Sequence, residues 1–448
     1  MKNRIKQYLL AASMCVGLTA CSDFFEPIPG VQFGLDETFA SKQRTEEYLN
    51  NVYSYVREVT DAIHPNTYGG IFTEASLDGA NRWNKTYAEW TNGSFNSASA
   101  QASEYFSKYY QAIAKASTFI QNVDKCTEAA ASTRGKWKSE ARALRAYYYF
   151  ELLRLYGPIP LIGEDPIPLD ASLEELIKER NSVDECVNFI ATELQSAIDS
   201  GDLLQRAGKA NLGRMDVATC MALKAKLYLY WASPLFNGNT DQASVKNKDG
   251  KQLFPQTEDN SKWAQARDAY ERFMTFATGQ GYKLTEVYTN GKLDPYASCR
   301  AAGEFFTTTW EAVDELIFVK LRDLYDYTYW VCPKFTDFQD TDVTGGGGYY
   351  TTQETVDLFF TKDGLTIEED PGYDKFEGIP SANNFTSGRY YDPNNPSRLY
   401  FDADKSKVLK QWKDREPRFY VNITYSGSIW LNEGKYNEEM RTDFTNGA

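Results

Sequence analysis

The chain is 448 residues long, with 48 basic and 62 acidic side chains and a net charge of −14. A surface this acidic argues against nucleic acid and anionic headgroups as partners, because both are held by basic patches. The length allows one large domain or about three small ones.

Lys2, Arg4 and Lys6 precede a short, mostly apolar run from Tyr8 to Leu18. The run is too short to span a bilayer but suits the core of a signal peptide. Leu18-Thr19-Ala20-Cys21 then reads as a lipobox, with small residues before a cysteine that takes a diacylglycerol. Residues 1–20 are therefore expected to be a lipoprotein signal peptide, and 21–40 a lipidated tether beginning at Cys21. Two or three acyl chains hold a protein stably on a membrane where one does not. No later segment is apolar for long enough to cross, so the lipid is the expected attachment.

Residues 41–280 read as a helical scaffold. Tyr48, Leu49, Val52, Tyr55 and Val56 repeat with helical spacing after Ser41. Tyr105, Tyr109, Ala112, Ile113, Ala116 and Ile120 continue that period, and Val183, Val187, Ile190, Leu194 and Ala197 step by four and three. Asp184 and Glu185 suit the positive end of the last helix dipole. Trp263-x2-Ala266-Arg267-x2-Tyr270 keeps the spacing of a tetratricopeptide first helix. Ala146-x3-Phe150, with Pro158 beyond, keeps that of a second helix and its stop. The predicted fold is mainly α: a tetratricopeptide-like helical-repeat scaffold with an irregular, loop-rich face and short β-hairpins.

Residues 281–448 form the expected loop-rich, ligand-facing region. The apolar run Leu316 to Leu321 and the alternating Tyr325, Tyr327 and Tyr329 predict a short sheet. Phe419, Val421, Ile423 and Tyr425 alternate before a Ser-Gly-Ser turn and Ile429-Trp430, which predicts a hairpin. Gly345 to Gly348 and "YYDPNNPS" at 390–397 predict long irregular loops, the usual carriers of function on a rigid frame.

Catalytic and metal chemistry find little support. Cys126, Cys186, Cys220, Cys299 and Cys332 are widely spaced without a CxxC pair, so buried free thiols are expected. The single histidine, His64, excludes HExxH and any multi-histidine zinc site. GxSxG and GxxxxGK[ST] are absent. Glu368/Glu369 and Glu438/Glu439 are carboxylate pairs, but pairs mean little until geometry sets them either side of a bond. "DTDVTG" at 340–345 begins like a calcium loop, yet position 12 is Thr351 where a bidentate Glu is needed. No catalytic residue, metal or cofactor is expected.

Binding chemistry is better represented, in a chain with 9 Trp, 31 Tyr and 26 Phe. A Tyr-rich core accounts for most of these rings, and a minority on loops suffices for a site. "SLDGANRWNKTYAEWTNGSFN" at 76–96 places Trp83, Tyr87 and Trp90 among Asp78, Asn81 and Arg82. Sugars offer an apolar C–H face and a rim of hydroxyls, which flat rings and planar polar groups match. Trp83 and Trp90 read equally well as core plugs that anchor a long loop. Tyr327, Tyr329 and Trp330 form a second candidate.

"SEARALRAYYYFELLRLYGPIPLI" at 139–162 resembles the most recognisable stretch of the SusD/RagB family of Bacteroidetes outer-membrane lipoproteins. "CSDFFEP" at 21, "YLNNVYSYV" at 48, "GRMDVATCMALKAKLYLY" at 213, "TTQETVDLFFTKDG" at 351 and "REPRFYVNITYSG" at 415 agree in order. The resemblance implies a tetratricopeptide-like scaffold whose loop-rich face captures oligo- or polysaccharide, without catalysis. It also implies a SusC-like TonB-dependent outer-membrane barrel as partner and a lipid-anchored position facing the cell exterior. Asp23 and Glu26 resemble the family's acidic surface-export signal. The family's closing Ala- and Glu-rich helical segment has no counterpart before Ala448, so a truncated C-terminus is expected. A surface endo-glycosidase, or a lid subunit binding peptide or no ligand, is the alternative.

Overall fold

The computed structural model describes residues 34–56, 76, 79–81, 93–168, 171–303, 314–320, 349–376, 378–404 and 406–429. The first half is built from helices α1 (Leu35–Ala40) and α2 (Lys42–Tyr53), the short strand β1 (Ala80–Asn81), and the long helices α3 (Ala100–Asn122) and α4 (Ala131–Tyr156). After α5 (Leu173–Leu176) come α6 (Val183–Asp199), α7 (Val217–Ala232) and α8 (Ser261–Gly279). Each long helix packs on the next in sequence, α3 on α4, α4 on α6, α6 on α7 and α7 on α8, as a stack of helical pairs requires.

Local chemistry sets the helix ends. Ser182 Oγ accepts the Glu185 N–H at 3.3 Å while the Glu185 carboxylate accepts the Ser182 N–H at 2.7 Å, a reciprocal cap for α6. Asp216 starts α7 by accepting from the Thr219 N–H at 2.7 Å. Gly157 ends α4 at φ +68, where side chains are strained, and a Cβ there would lie 3.0 Å from the Phe254 ring. Pro158 follows and cannot continue the helix.

Helix α4 is enclosed by its neighbours. Trp137, Leu144, Tyr148, Tyr149, Phe150 and Leu152 are all buried, so nearly its whole circumference is core. Its long charged side chains must then be paired. Arg145 has no exposure and donates to Glu193 of α6 through Nε at 2.8 Å and to Ser117 of α3 through Nη1 at 3.0 Å. Arg142 reaches the other Glu193 oxygen at 3.1 Å. One carboxylate of α6 thus ties two arginines of α4, Arg145 extends the tie to α3, and losing the carboxylate would strand a buried charge.

The repeat-like fragments divide. Ala146 and Phe150 are buried in α4, with the Phe150 ring edge-on to Tyr230 of α7 at 5.6 Å. On α8, Ala266 and Ala269 are buried, but Trp263 remains 42% exposed and does not fill an interhelical gap. The free thiols Cys126, Cys186 and Cys220 are buried as expected, and Cys299 is half-buried. Burial raises the Cys186 thiol to about 11, which keeps it protonated and unreactive.

The second half holds β2 (Tyr288–Thr289), β3 (Lys292–Leu293), α9 (Pro295–Gly303), β4 (Tyr349–Tyr350), α10 (Gln353–Asp357), β5 (Arg389–Asp392), β6 (Asn395–Asp402) and α11 (Pro417–Asn422). The described sheets are all two-stranded and antiparallel: β1 with β4, β2 with β3, and β5 with β6. A separate core is formed by Val356, Tyr400, Phe401, Val408, Phe419, Tyr420 and Tyr425. The Tyr400 and Tyr420 rings stack at 3.9 Å and 8°.

Three expectations are corrected here. "YYDPNNPS" is no irregular loop but the turn and strands of the β5–β6 hairpin. Asp392 accepts the Asn394 N–H at 2.8 Å to make the turn, and in a two-stranded sheet Pro396 can sit on an open edge. The strand expected over 419–425 begins as helix α11, since Pro417 sits in its first turn and adjacent Phe419 and Tyr420 are both buried. Ser428 bridges to Phe401 rather than closing that hairpin. The run 316–320 is irregular too. It lies against the scaffold: Thr219 Oγ1 donates to the Ile317 carbonyl at 3.3 Å, and the Val319 carbonyl comes so close to Gly213 that a Cβ there would stand 2.9 Å from it.

Candidate functional site

Of the sequence-predicted glycan stretch at 76–96, residues 76, 79–81 and 93–96 are described, and 80–81 form strand β1. It pairs with β4 in the register Ala80↔Tyr350 and Asn81↔Tyr349, so Asn81 stands opposite the tyrosine pair that follows Gly345–Gly348. Asp78, Arg82, Trp83, Tyr87, Trp90, Tyr327, Tyr329 and Trp330 lie outside the described residues, as do Cys21, His64 and the 340–345 loop. What the structure brings together is therefore the start of the first candidate stretch and Tyr350, a ring the sequence reading passed over.

Tyr350 stands on firm ground. Thr352 Oγ1 accepts the Thr355 N–H at 3.3 Å and starts α10, and Val356 of that helix enters the aromatic core. The α10 end is held by Arg415, whose Nη2 donates to the Val356 and Phe359 carbonyls at 2.7 and 2.8 Å. The Arg415 guanidinium lies over the Phe419 ring at 4.9 Å and is buried.

A second structural knot joins the hairpin to α9. Arg398 donates to both oxygens of Asp294 at 2.9 and 2.8 Å and to Asp392 at 2.7 Å, over the Tyr296 ring at 4.3 Å. The Arg398 guanidinium is the main reason the Asp294 carboxyl is held down at about 2.

A cleft of about 220 Å³ opens between Tyr53, Arg214 and Phe318–Lys320. Its Tyr53, Arg214 and Lys320 side chains are already engaged, Lys320 Nζ with the Val56 carbonyl at 2.6 Å. Arg214 bonds Glu140 and Glu46, each at 3.2 Å, and the Tyr53 hydroxyl donates to Glu140 at 2.8 Å while accepting the Met215 N–H at 2.9 Å. Burial raises the Glu140 carboxyl, which the neighbouring Arg214 opposes. The cleft is a polar joint of the scaffold with little left to offer a ligand.

The carboxylate pair Glu368/Glu369 is held locally as well, while Glu438 and Glu439 lie outside the described residues. Glu369 accepts from the Thr366 hydroxyl at 2.9 Å, and Glu368 lies 3.9 Å from Lys375. Among the described residues no group of three or more His, Cys, Asp or Glu side chains is placed to hold a metal. No described helix is long and apolar enough to cross a membrane.

These features define a helical-repeat scaffold that carries a tyrosine-rich region of short hairpins. Residues 32–229 match the family model described as "Starch-binding associating with outer membrane", and residues 315–447 match that of the SusD family. The chain belongs to the SusD family. A SusD-like protein of Bacteroides ovatus is 27% identical over 175 residues, which are 38% of this chain and 30% of the relative. The solved structure of BT4246 is 25% identical with a TM-score of 0.69, covering 87% of this chain and 66% of that one. A SusD-like carbohydrate binding protein from Bacteroides fragilis, BF0978, gives 18% identity and a TM-score of 0.57, over 88% of this chain and 61% of that one. The chain thus spans less than two thirds of the length of these relatives.

Proposed function

We propose that this chain is a surface glycan-binding lipoprotein that captures oligo- or polysaccharide and passes it to a SusC-like TonB-dependent barrel. The observation that carries the reading is the pair of SusD-family matches, in order along one helical-repeat fold, the first described as starch-binding and outer-membrane-associated. Attachment is through acylated Cys21, facing the cell exterior, and no covalent chemistry is done on the sugar. Trp83, Tyr87 and Trp90 form the stacking platform, with Asp78, Asn81 and Arg82 on the hydroxyl rim. Tyr327, Tyr329 and Trp330 form a second contact. Stacking plus hydrogen bonds gives affinities in the μM to mM range, about −4 to −8 kcal/mol.

Calorimetric titration beside a thermal melt tests the platform. Trp83→Ala or Trp90→Ala is expected to weaken binding by about 1–3 kcal/mol, by analogy with stacking on other flat ligands. The melting temperature should hold. A large drop in melting temperature with unchanged affinity would make these tryptophans core plugs. New reducing ends released from a bound glycan, and abolished by one carboxylate substitution, would favour a glycosidase instead.

A further inference from the structure

Asn-Gly pairs occur at 92–93, 237–238, 290–291 and 446–447. Such a pair is open to attack on its own side-chain amide, because glycine has no Cβ to shield the backbone nitrogen. Asn92 and Asn446 lie outside the described residues, and the other two stand in opposite surroundings. Asn237 is 4% exposed, its Nδ2 donating to the Asp259 carbonyl at 3.0 Å and its Oδ1 accepting the Asp259 N–H at 2.9 Å. Gly238 is so tightly packed that a Cβ there would lie 2.7 Å from the Glu258 nitrogen. Asn290 and Gly291 instead make the two-residue tip of the β2–β3 hairpin, at φ +54 and +77, the positive pair that a type I′ turn requires. Asn290 is exposed, and its side-chain amide has no hydrogen bond among the described residues. Nothing stands within 4 Å of where a Cβ on Gly291 would lie.

We infer that Asn290 is a site of spontaneous deamidation to isoaspartate, and that this modification loosens the β2–β3 hairpin as the protein ages. The Gly291 nitrogen, its proton given up to hydroxide, bonds to Asn290 Cγ. The Cγ–Nδ2 bond breaks, ammonia leaves and a succinimide ring closes. Water then opens the ring at either carbonyl, leaving aspartate or isoaspartate. Ring closure needs the tip to open briefly, and two strand pairs alone resist that weakly. The hairpin is fixed at its base instead, where the Asp294 N–H donates to the Val287 carbonyl and the Val287 N–H to Ser298 Oγ, each at 2.9 Å. Isoaspartate adds a backbone atom between residues 290 and 291, which a two-residue turn cannot absorb in register. The Thr289 hydroxyl, which donates to Asp294 at 2.9 Å, loses its place, while Arg398 keeps its hold on Asp294.

The test ages the full chain in warm, mildly alkaline buffer and maps its peptides by mass spectrometry, with electron-transfer fragmentation to tell isoaspartate from aspartate. Asn290 should convert at least about ten-fold faster than Asn237, with isoaspartate in excess. Hydrogen exchange should quicken at the amides of β2 and β3 in the aged chain and stay unchanged in α9. Freshly purified Asn290→Asp protein adds the charge without the extra backbone atom, so it should exchange as the fresh wild type does. Four results would overturn the inference: an Asn290 that keeps its amide while the urea-unfolded chain loses it, conversion of Asn237 at the same rate, aspartate as the sole product, or β2 and β3 exchange that ageing leaves unaltered.

Discussion

Arg145 and Arg398 each pin distant elements together, yet they do so in different surroundings. Arg145 is wholly enclosed by α3, α4 and α6 and shares Glu193 with Arg142. Arg398 lies at the seam between the β5–β6 hairpin and α9, covered on one side by Tyr296 and gripping two aspartates. The helical half has a deep apolar core, and its buried charge is tolerated because it is fully paired. The second half has short two-stranded sheets, which bury too little apolar area to stand alone. It relies instead on stacked rings and on charge pairs at element boundaries.

The largest expected effect breaks the comparison on the helical side. Glu193→Ala leaves Arg145 buried without its carboxylate and should cost about 3–5 kcal/mol in denaturant unfolding. A loss below about 1 kcal/mol would mean that water reaches Arg145 and that the core is less closed than described. Arg398→Ala should cost less, about 2–3 kcal/mol, since solvent can reach the seam once the guanidinium is gone. Hydrogen exchange locates that loss: the amides of β5, β6 and α9 should lose protection while those of α4 and α6 keep theirs. Equal loss in both halves would remove the distinction.

Gly157→Ala is expected to cost about 1–2 kcal/mol, because φ +68 is unsuitable for a side chain and its Cβ would press on the Phe254 ring. An unchanged melting temperature would show that the α4 terminus shifts freely. The smallest effect is acid sensitivity of the seam. The Asp294 carboxyl is held at about 2 against an ordinary value of 3.8, so the folded state favours its charged form. That stability is present above about pH 4 and is lost as pH falls toward 2. Asp294→Asn should flatten this part of the stability profile, and an unaltered profile would mean Asp294 does not contribute to it.

The same contrast governs what the sequence discloses. Helical periodicity is read directly where a face is buried over many turns, and Val183 to Ala197 follows it along α6. Short elements of the second half escape that reading. Pro393, Asn394, Asn395 and Pro396 look like breakers, yet an Asp392 turn and an open strand edge accommodate them. Phe419, Val421, Ile423 and Tyr425 alternate as a strand would, but Pro417 starts a helical turn that the alternation conceals. Leu316 to Lys320 has the composition of a strand but pairs with no strand among the described residues, and Thr219 of the scaffold takes the Ile317 carbonyl instead. Of the candidate site, Asn81 is placed by the strand pairing, and Tyr350 emerges only through a partner far away in sequence. Neither period nor motif encodes that kind of contact.

The proposed function requires that this chain bind glycan and leave it intact. The most informative measurement incubates the purified full chain with soluble amylopectin, laminarin, galactomannan, arabinoxylan or polygalacturonate and records native-gel retardation and new reducing ends on the same samples. Retardation by at least one of these polysaccharides is expected, with a Kd between about 1 μM and 1 mM, and no reducing ends over hours. No retardation by any of them, or steady release of reducing ends from the one that is bound, would contradict it.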